Sequence, residues 1–186
     1  TKLMLEYGTR IVAGVTPGKG GQSIYDIPVY DTVKQALLEH EAEASVLFVP
    51  AGRVLDAAEE SVDAGIGMLV IVTEHVPVHD TLRVKALAQK QGGTVLGPNT
   101  PGIISPGKTK IGIMPSNLYR PGNVGIVSRS ATLAYEIAGN LTEAEIGQST
   151  CAGIGGDPVT GVTFVDLLKL FEKDDETSIV VLIGEV

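Results

Sequence analysis

Short, wholly apolar runs alternate along this chain with longer stretches in which apolar residues recur every three to four positions. Apolar runs of four to eight residues predict buried strands, and the 3.6-residue recurrence predicts amphipathic helices. On that basis Arg10 to Val15, Ser45 to Val49, Gly67 to Val72 and Thr94 to Leu96 are expected as strands. Helices are expected from Asp31, as cap, to about Glu41, from Val54 to Ala64 with Gly65 as its stop, and from Asp80 to Gln91 before Gly92-Gly93. The same alternation runs through Val124 to Val127, Thr132 to Ala144, Gln148 to Ala152, Val162 to Glu172 and Ile179 to Ile183. Between the two blocks, Gly97 to Gly122 is rich in proline and glycine and shows neither period, so it reads as a functional segment or a linker. Thr1 to Tyr7 looks like the last turns of a helix closed by Gly8.

Strand–helix–strand alternation predicts parallel sheets joined by right-handed crossovers. The fold class is therefore α/β, with two βαβ blocks: residues 1–96, a Pro/Gly-rich connection over 97–122, and residues 123–186. A helix starting at residue 1 with no strand before it, and a strand ending in Gly184-Glu185-Val186 with no helix after it, read as a chain incomplete at both ends.

Composition narrows the chemistry. Lys and Arg number 14 against 22 Asp and Glu, a net charge of −8, which argues against a general nucleic-acid or anionic-membrane surface. Any phosphate must then be held by local N–H groups and a few cations. Cys151 is the single cysteine, so a disulfide framework and a thiolate metal cluster are excluded, and a reducing compartment fits. His75 and His79 are four apart, but Pro77 between them opposes a shared helix face, so no metal site is expected. No apolar run reaches the ~20 residues that span a bilayer.

Several strand ends carry candidate chemistry. Gly14 to Gly21 is not a P-loop: three residues rather than four separate Gly14 from Gly18, and Gly20 follows Lys19 where a hydroxyl is required. It is either a plain glycine turn or a loop presenting one cation to a phosphate. Val72-Thr73-Glu74 ends the most apolar strand, at the sheet edge that borders ligand crevices, or is an ordinary polar exit. Ser128-Arg129-Ser130 opens the helix bearing Tyr135; one serine suffices for a cap, and two with an arginine suggest anion handling. Gly153 to Pro158 departs from the dinucleotide fingerprint at Asp157-Pro158, which disfavours a nicotinamide dehydrogenase and leaves a tight turn or an anion nest.

Taken together, Tyr7-Gly8-Thr9, Gly14 to Gly21, Gly97 to Gly102, Lys110 to Ile113, Gly125 to Leu133, Gly147 to Cys151, Gly153 to Pro158 and Ile183-Gly184-Glu185 resemble the succinate–CoA ligase (succinyl-CoA synthetase) α subunit, over nearly the whole chain. The ligase parts of ATP-citrate lyase and malate–CoA ligase share several of these runs. The resemblance implies a Rossmann-like CoA-binding domain followed by a flavodoxin-like ligase domain, a tricarboxylic-acid-cycle activity, and a hetero-oligomer. It implies that coenzyme A is gripped by Lys19 and by Val72, Thr73 and Glu74. It implies that Ser128 and Ser130 face a phosphohistidine, that Tyr135 borders the carboxylic acid, and that Glu185 orients the phosphorylated histidine. The scheme it implies joins succinate to CoA: the acid attacks phosphate on histidine, and the thiol opens the resulting acyl phosphate, releasing phosphate. Mg and ATP or GTP are implied on a partner β subunit with an ATP-grasp fold, in the cytoplasm or in a mitochondrial matrix.

Departures from the family pattern are as informative. Its glycine-rich CoA phosphate loop is expected before Thr1 and its phosphorylated histidine beyond Val186; none of His40, His75 or His79 matches that histidine. Ala131 stands where the family has glycine, and Asn99-Thr100 where Asn-Cys is commoner. This stretch alone is therefore not expected to turn over, and a CoA-binding module without catalysis is the alternative.

Overall fold

The computed structural model describes residues 1–185. A short helix α1 (Lys2–Glu6) precedes a small sheet in which β1 (Gly14–Val15) runs parallel to β3 (Ile27–Tyr30), and β3 pairs antiparallel with β2 (Ser23–Ile24). Helix α2 (Val33–Glu39) follows. A second, all-parallel sheet has the order β4 (Ala44–Leu47), β5 (Met68–Ile71), β6 (Thr94–Leu96), with α3 (Val54–Asp63) and α4 (Val78–Lys90) as crossovers. The third sheet has five strands. Its parallel centre is β11 (Ile179–Ile183), β9 (Pro121–Ser128), β10 (Gln148–Gly153), wound by α5 (Ala131–Glu143) and α6 (Phe164–Phe171). On the far side of β10 lies an antiparallel hairpin, β7 (Gly102–Ser105) and β8 (Thr109–Gly112).

The alternation of side chains along the strands divides the interior into three clusters. In β5, Leu69 and Ile71 point to α3 and α4, which bring Val54, Ala58, Val62, Val84 and Ala88. In β9, Val124 and Ile126 point to α5, with Ala134 and Ala138. The opposite faces meet each other: Val70 and Leu96 join Val127, Ala152, Ile154 and the α6 residues Leu167 and Phe171 in one buried cluster. Gly125 has no side chain because the Phe171 ring covers it; a Cβ there would come within 2.7 Å of the ring. The two parallel sheets thus share a core.

Four local differences from the sequence reading have physical causes. Asp31 does not cap α2. Thr32 does, its hydroxyl accepting from Gln35 N at 3.1 Å, while the Asp31 carboxylate is drawn to the Gly18 and Gly20 N–H groups. The strand expected over Arg10 to Val15 forms only at Gly14–Val15, where β3 offers a partner. The β2–β3 hairpin turns at Tyr25 and Asp26, both at positive φ, without the glycine that usually marks such a turn. Finally, residues 97–122 hold β7, β8, a 3-10 turn (Ser116–Leu118) and the start of β9. Their glycines and prolines hide the period because several lie where backbones touch: a Cβ on Gly102 would strike Ile111 O, and one on Gly112 would strike Pro101 O. No helix among the described residues is long and apolar enough to cross a membrane.

Candidate functional site

In the third sheet the chain leaves β9 through α5 to reach β10 on one side, then crosses back through α6 to β11 on the other. The first crossover leaves the carboxyl end of β9 and the second that of β10, on opposite faces of the sheet, and the strand order reverses at β9. Such a switch point opens a crevice, because the outgoing loops diverge there. Arg129 N donates to Ile183 O at 3.0 Å and Ile154 N to Ser128 O at 2.7 Å, so the three strand ends are held level.

Around this crevice the structure gathers Ser128, Arg129, Ser130, Gly156 and Glu185. Ser128 is buried, and its hydroxyl is engaged with its own loop: it donates to Ser130 O at 2.7 Å and accepts from Ser130 N at 3.0 Å. Ser128 therefore shapes the mouth of α5 and presents no free donor. Ser130 is the N-cap, accepting from Leu133 N at 3.5 Å and sharing a 3.3 Å contact with Thr132 Oγ1. That long cap leaves the first-turn N–H groups and the Ser130 hydroxyl available to an anion, where the helix dipole favours negative charge. Glu185 is exposed on the opposite lip; a Cβ built on Gly156 would lie 3.6 Å from its Oε2 and 3.2 Å from Asn99 Nδ2.

Two further groups hold the crevice: Arg129, read from the sequence with Ser128 and Ser130 as an anion-handling run, and Asn99, to which the sequence assigned no role. Arg129 donates from Nη2 to Asp157 O at 2.7 Å, while its Nε is buried without a partner. Asn99, at positive φ, donates its N–H to Thr73 O at 2.8 Å and accepts from Gly156 N at 3.1 Å. The loop Gly97-Pro98-Asn99 thereby bolts the end of β5 to the end of β10. Thr100 extends the bolt, donating to Gly153 O at 2.6 Å and accepting from Gly102 N at 3.0 Å. The signal was present in sequence as a Gly-Pro-Asn turn, but turn residues alone do not say which strands they join.

Tyr135 lies half-buried against the cluster of Ile104, Met114, Tyr119 and Cys151. Burial, with Cys151 nearby, pushes its phenol above the ordinary range. Burial also raises the Cys151 thiol to about 12, and a Tyr119 hydrogen bond at 3.7 Å offsets only part of that. This cysteine is a packed, protonated core residue.

At the first parallel sheet, Thr73 donates from Oγ1 to Val49 O at 2.6 Å; Val72 is half-buried and Glu74 exposed, 3.9 Å from His75 Nε2. Lys19 stands exposed on the loop after β1, in a different sheet, and no hydrogen bond links that loop to Val72–Glu74 among the described residues. No carboxylate among the described residues forms an ion pair with Lys19. Among them, too, no three or more His, Cys, Asp or Glu groups are placed to hold a metal.

Residues 1–75 match the CoA binding domain family, and residues 127–186 match the CoA-ligase family. Along all 186 residues the chain is 58% identical to succinate–CoA ligase [ADP-forming] subunit alpha 2 of Archaeoglobus fulgidus, covering 65% of that protein. It is 58% identical to the corresponding α subunit of Methanothermobacter thermautotrophicus, covering 63%, and 52% identical to that of Staphylococcus aureus, covering 62%. The chain thus spans somewhat under two thirds of the length of these relatives. Among solved structures, an apo dinucleotide-forming acetyl-coenzyme A synthetase from Ca. Korarchaeum cryptofilum shares the fold over the whole chain, with a TM-score of 0.84 at 24% identity and 40% of its own length covered. ATP citrate lyase from Methanothrix soehngenii, solved with citrate and coenzyme A, matches 86% of the chain and 28% of its own length at 28% identity, with a TM-score of 0.80.

Proposed function

The chain belongs to the succinate–CoA ligase α-subunit family, and from that premise we propose that it is the CoA-binding and acid-activating part of an acid–CoA ligase. Its substrates are succinate, coenzyme A and a nucleoside triphosphate, the last held with Mg on a partner β subunit of ATP-grasp fold. Cytoplasmic placement accords with the archaeal and bacterial relatives. The observation that carries this reading is the convergence of the α5 N-terminus, Ser130 and Glu185 on one switch-point crevice, bolted through Asn99 to the end of β5.

Each residue has a defined task in the proposal. Lys19 supplies the single cation that holds a CoA phosphate, and the β5 exit at Val72, Thr73 and Glu74 lines the cofactor's path. The first turn of α5 and Ser130 stabilise a phosphoryl dianion brought to the crevice, since preorganised N–H donors need no reorganisation when charge arrives. Glu185 accepts a hydrogen bond from one ring N–H of a histidine, fixing the tautomer whose other nitrogen carries phosphate. Ser128 and Arg129 hold the loops that define this geometry. Tyr135 closes the acid end of the crevice with a neutral phenol.

The test is formation of the thioester from succinate, CoA and nucleotide by a β subunit together with an α chain that carries these residues and the phosphorylated histidine. Turnover that requires all three substrates supports the ligase. CoA binding without turnover in the complete mixture would instead identify a binding module.

A further inference from the structure

The loop carrying Lys19 is short, glycine-rich and exposed, and such a loop has no intrinsic reason to hold one shape. Three of its backbone bonds are local or reach the neighbouring strand: Lys19 N to Thr16 O at 3.1 Å, Gln22 N to Lys19 O at 3.3 Å, and Gly21 N to Val29 O at 2.9 Å. The N–H groups on either side of Lys19 have a different partner. Gly18 N donates to Asp31 Oδ1 at 2.7 Å and Gly20 N donates to the same oxygen at 2.9 Å. The carboxylate is itself anchored. Asp31 follows β3 directly, its own N–H donates to Gln35 Oε1 at 3.2 Å, and Tyr30 O beside it accepts from Thr16 N at 2.9 Å.

A second observation points to the same contact. A Cβ on Gly20 would come within 2.7 Å of Asp31 Oδ2 and 2.9 Å of its Cγ, so this position accommodates the carboxylate only as glycine. Gly18, with φ of +78°, meets nothing within 4 Å, so its requirement is conformational. One glycine of the pair bends the loop and the other makes room for Asp31.

We propose that Asp31 is the positioning residue for CoA capture: its carboxylate pins Gly18 and Gly20 through one oxygen and so fixes the backbone of Lys19 between them. This rests on the reading of Lys19 as the CoA-binding cation. The clamp has two chemical consequences. The Gly18 and Gly20 N–H groups are occupied, so the loop is not a backbone nest for phosphate and the lysine side chain is its reader. The carboxylate faces N–H groups rather than the lysine, so it orders the cation without pairing with it, as the lack of an ion pair at Lys19 among the described residues agrees.

The test is the CoA dependence of the ligase reaction, measured with the assembled protein for the variants Lys19→Ala, Asp31→Ala, Asp31→Asn and Gly20→Ala. Removing two hydrogen bonds to a charged acceptor predicts that Asp31→Ala raises the KM for CoA roughly three- to tenfold, with kcat and the KM for succinate unchanged. Asp31→Asn keeps an oxygen that can accept from both N–H groups and is expected within about twofold of the parent. Gly20→Ala pushes the carboxylate away and should mimic Asp31→Ala, and combining the two should add little further loss, because both act through one contact. Should Asp31→Ala fail to fold, Gly20→Ala and Asp31→Asn carry the same comparison. A KM for CoA that responds to Lys19→Ala but not to Asp31→Ala or Gly20→Ala would overturn the clamp. Equal losses in Asp31→Asn and Asp31→Ala would also overturn it, by showing that charge and not acceptance matters. A KM indifferent to Lys19→Ala would remove the reading on which the clamp rests.

Discussion

Two threonines and a serine show how hydroxyl groups that look like ligands become structure. Ser128 folds back onto Ser130, Thr73 reaches Val49 O, and Thr100 links Gly153 O to Gly102 N. Replacing Thr100 with valine keeps the shape and leaves a buried carbonyl and N–H without partners. The expected loss is about 2 kcal/mol of stability, read as a lower denaturant midpoint with the slope unchanged. Cys151 gives a pH signature. In the unfolded chain its thiol ionises from the ordinary value of 9.0, whereas burial holds the folded thiol neutral to about 12. The folded state therefore binds the proton more tightly, and stability is complete below pH 9 and falls as pH rises toward about 12. Buried Tyr119 and half-buried Tyr135, both raised in the same direction, reinforce the fall. The melting temperature should be level on the acid side of that window and drop across it; a level profile throughout would contradict this burial. Thiol reagents should leave native Cys151 unmodified at neutral pH and label it only on unfolding.

At the scale of elements, legibility followed the apolar runs. Strands β4, β5, β6 and β11 lie within a residue or two of their expected bounds because each carries such a run. In β5 and β6 the run reflects burial, while β11 keeps Ile179 and Leu182 exposed. Strand β10, mostly buried but half polar, was read to within one residue. The exposed β2 left no such run, and the largely buried β7–β8 hairpin is short and closes through backbone contacts at Gly102 and Gly112. The same holds for the site. Ser128, Arg129 and Ser130 were visible as a polar run abutting an apolar strand and Glu185 only through the family resemblance, whereas Asn99 and Asp31 act through backbone partners that no periodicity reveals. Gly155 illustrates the cost of disturbing such contacts. It sits at φ of +115° with its α-carbon facing Pro98 O, so Gly155→Ala meets both backbone strain and a collision. The expected loss is about 3 kcal/mol, enough to separate the Gly97–Thr100 bolt from β10 and to lower activity along with the melting temperature.

Over the whole molecule, the shared cluster of Val70, Leu96, Val127, Ala152, Leu167 and Phe171 makes the CoA side and the ligase side one cooperative body. Leu96→Ala, deep in that cluster, should cost about 3 kcal/mol and shift a single unfolding transition rather than split it; two separated calorimetric peaks would show the sheets folding independently. In the proposed function, CoA capture and acid activation are distant in sequence: Lys19 and the β5 exit are assigned to the thiol donor, and the switch point of the other sheet to the phosphoryl group. The central claim is that division of labour. It is tested most directly by steady-state kinetics of the assembled protein with CoA as the varied substrate, comparing Lys19→Ala with Glu185→Gln. The account predicts a several-fold rise in the KM for CoA at constant kcat for the first, and a fall in kcat at constant KM for the second. If both variants altered the same parameter, or neither altered any, the two-site account would be wrong.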